Sequence, residues 1–158
     1  MEKLDPVLEK LHWRLTKIRQ TRVGDVMNRK VITLDVKDLL ATAARTMVEN
    51  KINGIIILKE GKPYAVLSSW DLLHVSYIES FSDKMDYLRT PLEELIEQPR
   101  LHYLKPTDSL DSAARLISQH GQRTIPVLDD NGELVGVISK TDLIKAYHKL
   151  LLESEALP

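Results

Sequence analysis

The chain repeats itself, and this repeat constrains its fold more than any other feature of the sequence. LLATAARTM at 39–47 aligns with SLDSAARLI at 109–117. Further along, GIIILKEGKPYAVLSSWDLL at 54–73 aligns with TIPVLDDNGELVGVISKTDLI at 124–144 when one inserted residue near Asn131 is allowed. Because the matches fall on the same predicted secondary-structure pattern in both copies, the sequence predicts two similar units in tandem.

Each copy carries the pattern of a short strand, a helix, a hairpin and a second helix. Apolar residues recur at helical spacing in 40–48 and again in 110–117. The hairpins turn at KEGK and at DDNG, where Asn131-Gly132 supports the positive φ angles of a tight turn. VITL at 31–34 and LHYL at 101–104 are predicted as the first strand of each copy. This order predicts a mixed α/β (α+β) fold in two halves.

The segments outside the repeats predict an added helix and a linker. Asp5-Pro6 is a favourable helix start, and the apolar residues that follow are spaced by four and three: Leu4, Leu8, Leu11, Leu15 and Ile18. We predict five parts: an N-terminal helix at 1–21, a first repeat at 22–76, a linker at 77–90, a second repeat at 91–150 and a C-terminal tail at 151–158.

Composition and motifs argue against several classes of function. A formal net charge of −1, with charges interspersed along the chain, gives no general attraction for nucleic acid. The longest apolar runs are far shorter than a membrane span, and the first residues do not resemble a signal peptide, so we expect a cytoplasmic protein. The chain has no cysteine, and its five histidines lack metal-ligand spacing. We find no catalytic motif and expect neither an enzyme nor a bound metal.

Both repeats end an apolar run with Ser-x-x-Asp-Leu, at Ser68 to Asp71 and at Ser139 to Asp142. A single example predicts a capping box, in which the serine accepts from the amide three residues on and the acid reaches back. The residues around the motif in each repeat carry a family resemblance, and that resemblance implies a second interpretation, a ligand site. Both interpretations stay open.

The repeats resemble the cystathionine β-synthase (CBS) domain family over about residues 22–147. The markers are DVMNRKVITL at 25–34, the Ala-Ala helices, RTIPVLDDNGELVGVISKTDL at 123–143, and the degenerate first copy NGIIILKEGKPYAVLSSWDL at 53–72. The resemblance implies two β-α-β-β-α units that pack sheet to sheet as a pseudo-twofold pair with two clefts between them. Many such pairs bind adenosine nucleotides in those clefts.

The resemblance also assigns ligand-binding positions. Asp71 and Asp142 match the position of a carboxylate that accepts from both ribose hydroxyls, and Ser68 and Ser139 match the accompanying hydroxyl position. Arg123 matches a position that supplies a cation to phosphate in some members, although a solvated surface charge is the alternative.

The remaining assignments surround the sugar and the base. Gly136 permits close backbone approach, whereas the first copy has Ala65 there. Thr33 matches a threonine on the first strand and could equally be a plain strand residue. Trp70 either stacks on a base or packs against its own helix. The other assigned residues are Asn53 in the position of Arg123, Tyr103 in the position of Thr33, Gly54 and Thr124, and an apolar purine slot of Ile55, Ile56, Ile125 and Pro126.

These assignments predict a regulatory sensor that binds an adenosine nucleotide and passes its ligand state to a partner protein. We rank AMP above ATP, ADP or S-adenosylmethionine as the ligand and expect no cofactor. The alternative is a structural module that dimerises without ligand. We expect a homodimer, because CBS-like pairs expose apolar helix faces and this chain adds the Leu4–Ile18 seam, which could instead cover its own domain.

Overall fold

The computed structural model describes residues 5–79, 87–96, 99 and 101–157. The first half contains α1 (Pro6–Gln20), α2 (Val23–Val26), β1 (Thr33–Asp35), α3 (Leu40–Asn50), β2 (Gly54–Lys59), β3 (Lys62–Ser68) and α4 (Ser69–Glu79). The second half contains a 3₁₀ turn (Tyr87–Arg89), α5 (Leu92–Leu95), α6 (Leu110–His120), β4 (Thr124–Leu128), β5 (Leu134–Ser139) and α7 (Lys140–Glu155). The predicted mixed fold of two repeats is confirmed.

Helix α1 begins as the sequence predicts. The Asp5 side chain accepts from the Val7 amide at 3.0 Å, and a proline occupies the first helical position. The helix packs against α7, where Arg14 Nε donates to the fully buried Ser154 Oγ at 2.5 Å. The seam residues Leu8, Leu11 and Leu15 are 51, 47 and 46% exposed, and Leu4 lies outside the described residues.

The first strand differs between the two repeats. In the first repeat β1 pairs in parallel with β2, which pairs antiparallel with β3, and β1 begins two residues later than predicted. In the second repeat β4 and β5 form a hairpin, and the strand predicted at 101–104 contributes a single parallel bridge from Leu104 to Val127. Pro126 lies in the neighbouring strand and has no N–H, so the ladder lacks one donor there. The predicted strand is therefore reduced to a bridge.

Each hairpin has a glycine with positive φ in its turn. Gly61 has φ +76° and Gly132 has φ +78°, as the KEGK and DDNG patterns predict. Asn131 does not have the positive φ that the sequence predicts for it. In the first hairpin two residues have positive φ, Gly61 and Glu60, the latter with φ +52°.

The chain outside the repeats is more helical than expected. Helix α4 reaches Glu79, inside the predicted linker at 77–90, and residues 80–86 lie outside the described part. Helix α7 continues to Glu155, through most of the segment predicted as a tail at 151–158. Among the described residues, no helix is both long enough and apolar enough to cross a membrane.

Two hydrophobic cores define two lobes, and each core takes a short helix from the other half of the sequence. The first-lobe core contains Val36, Leu40, Ala43, Met47, Ile55, Ile57, Ala65, Leu67 and Leu92. The second-lobe core contains Val23, Met27, Leu104, Leu110, Ala113, Ile125, Val127, Ile138 and Leu143. Helix α2, at the start of the first repeat, thus belongs to the second lobe, and α5, at the start of the second repeat, belongs to the first.

Equivalent hydrogen bonds hold the two exchanged helices. The Val23 amide donates to the Asp108 carbonyl at 2.8 Å, and the Leu92 amide donates to the Asp38 carbonyl at 2.8 Å. Asp38 and Asp108 are 70 residues apart, as are the other aligned positions before the second hairpin. The pair is therefore pseudo-symmetric at the level of single hydrogen bonds.

Candidate functional site

Two clefts lie between the lobes. The first cleft, of about 660 Å³, lies between the start of α7 and the segments 28–32 and 50–54. The second cleft, of about 780 Å³, lies between the start of α4 and the segment 120–124, with His102 on its wall. Both volumes are in the range of small-molecule sites. Each cleft therefore joins the helix start of one lobe to the end of a helix in the other.

Capping boxes form the helix starts of both clefts. Ser139 Oγ accepts from the Asp142 amide at 3.2 Å, and Asp142 Oδ2 accepts from the Ser139 amide at 2.8 Å and from Ser139 Oγ at 2.9 Å. Ser68 and Asp71 repeat these bonds at 3.1, 2.8 and 2.8 Å. The first of the two interpretations of Ser-x-x-Asp, the capping box, is therefore observed in both copies.

The capping boxes leave half of each carboxylate unused. Every hydrogen bond that the described part of the chain makes to the side chains of Asp71 and Asp142 goes to Oδ2. Asp142 lines the first cleft and is half-buried, whereas Asp71 lines the second cleft and is exposed. An ionised carboxylate has acceptor capacity for about four hydrogen bonds, so the capping role does not exhaust it.

Four residues near the pseudo-twofold axis line both clefts: Asn53, Gly54, Arg123 and Thr124. The Asn53 carbonyl accepts from the Ser69 amide, and the Arg123 carbonyl accepts from the Lys140 amide, both at 2.9 Å. A Cβ on Gly54 would lie 2.8 Å from the Thr124 Cβ, so the lobes approach closely because residue 54 has no side chain. Arg123 and Asn53 are thus shared between the clefts rather than assigned one to each.

Most of the remaining predicted residues are not brought onto the cleft walls. Ile55 and Ile125 are fully buried in the two cores, and Pro126 is also fully buried. Ile56 is the residue of the predicted purine slot that lines the first cleft. Thr33 and Tyr103 line neither of these clefts, and Tyr103 is 49% exposed.

Gly136 permits a close approach, but the approaching group belongs to the chain itself. A Cβ there would lie 2.5 Å from Met27 Sδ and 3.2 Å from the Asn28 carbonyl oxygen. Asn28 and Val137 exchange backbone hydrogen bonds at 2.8 and 2.9 Å. The segment after α2 thus occupies the space that the sequence left for a ligand.

The structure adds cleft residues that the sequence analysis did not assign. In the first cleft these are Asn28, Lys30, Val31, Ile32, Asn50, Lys51, Ile52, Val137, Lys140 and Thr141. Several of them lie in the DVMNRKVITL and SKTDL motifs, and their place in these motifs is the sequence signal that points to them. The amide-bearing and cationic side chains among them add polar and charged groups to the wall of this cleft.

Aromatic side chains distinguish the second cleft. Trp70 lines it and is 68% exposed, with its ring 6.5 Å from that of His74. His102 and His120 also line it, with ring centroids 3.9 Å apart and planes inclined by 18°. Within the described residues, no group of three or more His, Asp or Glu side chains could hold a metal ion.

The two lobes and the two clefts between them define a tandem α/β module, whose first strand is complete in the first repeat and a single bridge in the second. The CBS domain family model matches residues 23–77 and 90–149, and the chain therefore belongs to the CBS domain family. The homoserine O-acetyltransferase of Methanohalophilus mahii is 33% identical to it over 125 residues, which cover 78% of this chain and 24% of that relative. This chain thus spans about a quarter of that relative's length.

Solved structures share the fold. The crystal structure of CBSX2 in complex with AMP superposes with a TM-score of 0.70 at 22% identity, covering 83% of this chain and 98% of that one. The CBS domain pair of MJ0100, in complex with 5′-methylthioadenosine and S-adenosyl-L-methionine, gives a TM-score of 0.69 at 22% identity, with coverages of 82% and 97%. At these identities the likeness establishes the fold.

Proposed function

We propose that the chain is a regulatory sensor module that binds an adenosine nucleotide between its lobes and transmits the ligand state to a partner protein. One observation carries this proposal: each cleft places a carboxylate with a free oxygen from one lobe opposite the Asn53 and Arg123 region shared by both. A ligand that bridges the lobes binds one arrangement of them more tightly and shifts the population towards it. The adenosine ligands of CBSX2 and MJ0100 support this class of ligand.

The carboxylates and the guanidinium that line the clefts each have a role in this proposal. The free oxygen of Asp142 accepts from the adjacent ribose hydroxyls while Oδ2 keeps the helix capped. Arg123 makes charge-assisted hydrogen bonds to a phosphate, and its guanidinium forms no ion pair within the described part of the chain. Asp71 has the same role as Asp142 in the second cleft.

Calorimetric titration with AMP tests the proposal. Asp142→Asn removes a charged acceptor and should weaken binding by about ten- to a hundredfold, the usual scale of a hydrogen bond to a charged group. Asp71→Asn should weaken AMP binding in the second cleft, and by a smaller factor than Asp142→Asn does in the first, because Asp71 is exposed and Asp142 half-buried. Asp108→Asn is the matched control, since Asp108 Oδ2 caps the Lys105 amide at 2.8 Å outside both clefts.

The result that contradicts the proposal is equally definite. Unchanged AMP affinity in Asp142→Asn and Asp71→Asn, together with lower melting temperatures, would mean that both carboxylates serve only as helix caps. A ligand-free interaction module would then be the better description, provided that the chain self-associates.

Exposed apolar side chains favour self-association as a second property of the module. Leu8, Leu11 and Leu15 on α1 are about half exposed, and Ile144 and Leu152 on α7 are 59 and 58% exposed. We expect sedimentation at tens of micromolar to give a homodimer. Leu8→Glu with Leu11→Glu should weaken it while leaving Arg14 bonded to Ser154, whereas an unchanged oligomer would confine the seam to packing within one chain.

A further inference from the structure

Unpaired cations line the first cleft. Lys30, Lys51, Arg123 and Lys140 lie on its wall together with one carboxylate, Asp142. None of the four cations forms an ion pair with a carboxylate of the described part of the chain. The first cleft therefore holds an excess of positive charge that the protein leaves uncompensated.

The pseudo-symmetric positions of the second cleft lack two of these charges. Gly121 stands in the position of Lys51, and Ser69 stands in the position of Lys140. The charged side chains among its described lining residues are those of Arg123 and Asp71. Trp70 stands in the position of Thr141 and adds an exposed indole to this wall. Among the described lining residues, the same backbone frame thus presents more positive charge in the first cleft and an exposed indole in the second.

This difference bears directly on nucleotides, which combine a flat base with a variable number of phosphates. A terminal phosphate carries a charge of roughly −1.5 to −2 at neutral pH, so one phosphate leaves the cations of the first cleft partly unneutralised. A longer phosphate chain adds negative charge and acceptor oxygens within reach of more donors. In the second cleft, stacking on the indole would stabilise the binding of any base, and this contribution does not depend on the number of phosphates.

We propose that the two clefts divide adenosine ligands by charge: the first selects a nucleoside di- or triphosphate over the monophosphate, and the second binds an uncharged or singly phosphorylated adenosine derivative whose base stacks on Trp70. This inference rests on the proposed adenosine-binding function. For the first cleft it reverses the sequence-based ranking of AMP above ATP.

Tryptophan fluorescence separates the two clefts. The chain has two tryptophans, and Trp13 lies in α1 away from both clefts, with Lys17 Nζ 5.7 Å from its ring centroid. In a Trp13→Phe variant the emission therefore reports Trp70 alone. Adenosine should quench this emission, whereas the tightest ATP-binding event seen by calorimetry should leave it nearly unchanged. Trp70→Thr should weaken adenosine binding at least about fivefold, the lower scale of base stacking on an aromatic side chain.

A residue exchange tests the charge argument. Lys51→Gly with Lys140→Ser gives the first cleft the residues of the second. Lys51 has φ +52°, which glycine adopts without strain, so the variant should fold. Titration of AMP, ADP and ATP in magnesium-free buffer should show ATP preferred in the wild type. The preference should fall by about two- to fivefold for each lysine removed, the scale of an exposed ion pair.

The control variant is Lys62→Ser with Lys149→Ser, which removes two exposed lysines away from both clefts and should retain the preference. Equal AMP and ATP affinities that the residue exchange does not alter would overturn the division of ligands while leaving the proposed function intact.

Inorganic tripolyphosphate distinguishes the two proposals when no adenosine ligand binds. If it raises the melting temperature of the wild type but not of the exchange variant, the charge selection of the first cleft stands and adenosine recognition fails. If it stabilises neither protein and no adenosine ligand binds, both proposals fail.

Discussion

The starts of α4 and α7 share one backbone arrangement and differ in the residues between the capping pair. Both have the same Ser and Asp hydrogen bonds, within about 0.1 Å of each other. Between them lie Ser69 and Trp70 in one helix and Lys140 and Thr141 in the other. The capping box thus sets the position of the helix start that forms each cleft wall. The two residues inside the box determine which chemical groups that wall presents.

Breaking a lobe should remove both clefts, because each is built from both lobes. Leu92 is fully buried in the first-lobe core, so Leu92→Ala should cost about 2–5 kcal/mol of unfolding free energy through lost burial and a residual cavity. Denaturant titration measures this cost. If one cleft kept its full ligand affinity under conditions where Leu92→Ala unfolds the first lobe, the shared construction of the clefts would be wrong.

Separating the lobes should affect the two clefts equally. Gly54→Ala places a methyl group against the Thr124 side chain and should cost about 1–3 kcal/mol, the usual penalty for overpacking. Affinity should fall in both clefts, measured by calorimetry and by Trp70 emission. Adding Thr124→Gly should restore stability and binding; the absence of rescue would show that the contact does not set the spacing of the lobes.

Removing the serine of each capping box should weaken the two helices similarly. Ser68→Ala and Ser139→Ala each lose a hydroxyl that accepts from the third helical amide, at a cost of about 0.5–2 kcal/mol. Melting curves of the two variants measure this directly. A difference of more than about 2 kcal/mol between them would contradict the equivalence of the two boxes.

The smallest expected difference concerns the residues at the ends of α3 and α6. Gly121 has φ +62° and open space around its missing side chain, so Gly121→Ala should cost about 1 kcal/mol from backbone strain alone. Lys51 already carries a side chain at φ +52°, so Lys51→Ala should change stability by less than about 0.5 kcal/mol. Equal destabilisation of both variants in denaturant titration would refute this contrast.

Local patterns explain why most of the fold was predictable from the sequence. Helical periodicity, turn glycines and the Asp5-Pro6 start each depend on neighbouring residues, and each appears where predicted. The exchange of α2 and α5 was not predictable, because four-residue helices carry no information about which lobe they join. Their place follows from contacts between distant parts of the chain.

The site was predictable to the extent that it depends on motif positions. Asp71, Asp142, Asn53 and Arg123 all line clefts. Of the residues predicted to form an apolar purine slot, Ile56 lines the first cleft and Ile55 lies in the core, since alternate residues of a strand face opposite sides. The role of Lys51 and Lys140 in the first cleft was not predictable from the sequence, because these lysines and Arg123 line one cleft only when the lobes are packed together.

The exchanged helices α2 and α5 have a consequence for the integrity of the polypeptide. Each half of the chain carries one element that completes the partner half, as in a dimer formed by swapping identical elements between subunits. After a protease cut between Glu79 and Tyr87, we therefore expect the two fragments to remain associated through the exchanged helices. The core of the first lobe takes Leu92 from the second half of the chain, and the core of the second lobe takes Val23 and Met27 from the first, so we expect the two halves to stabilise each other.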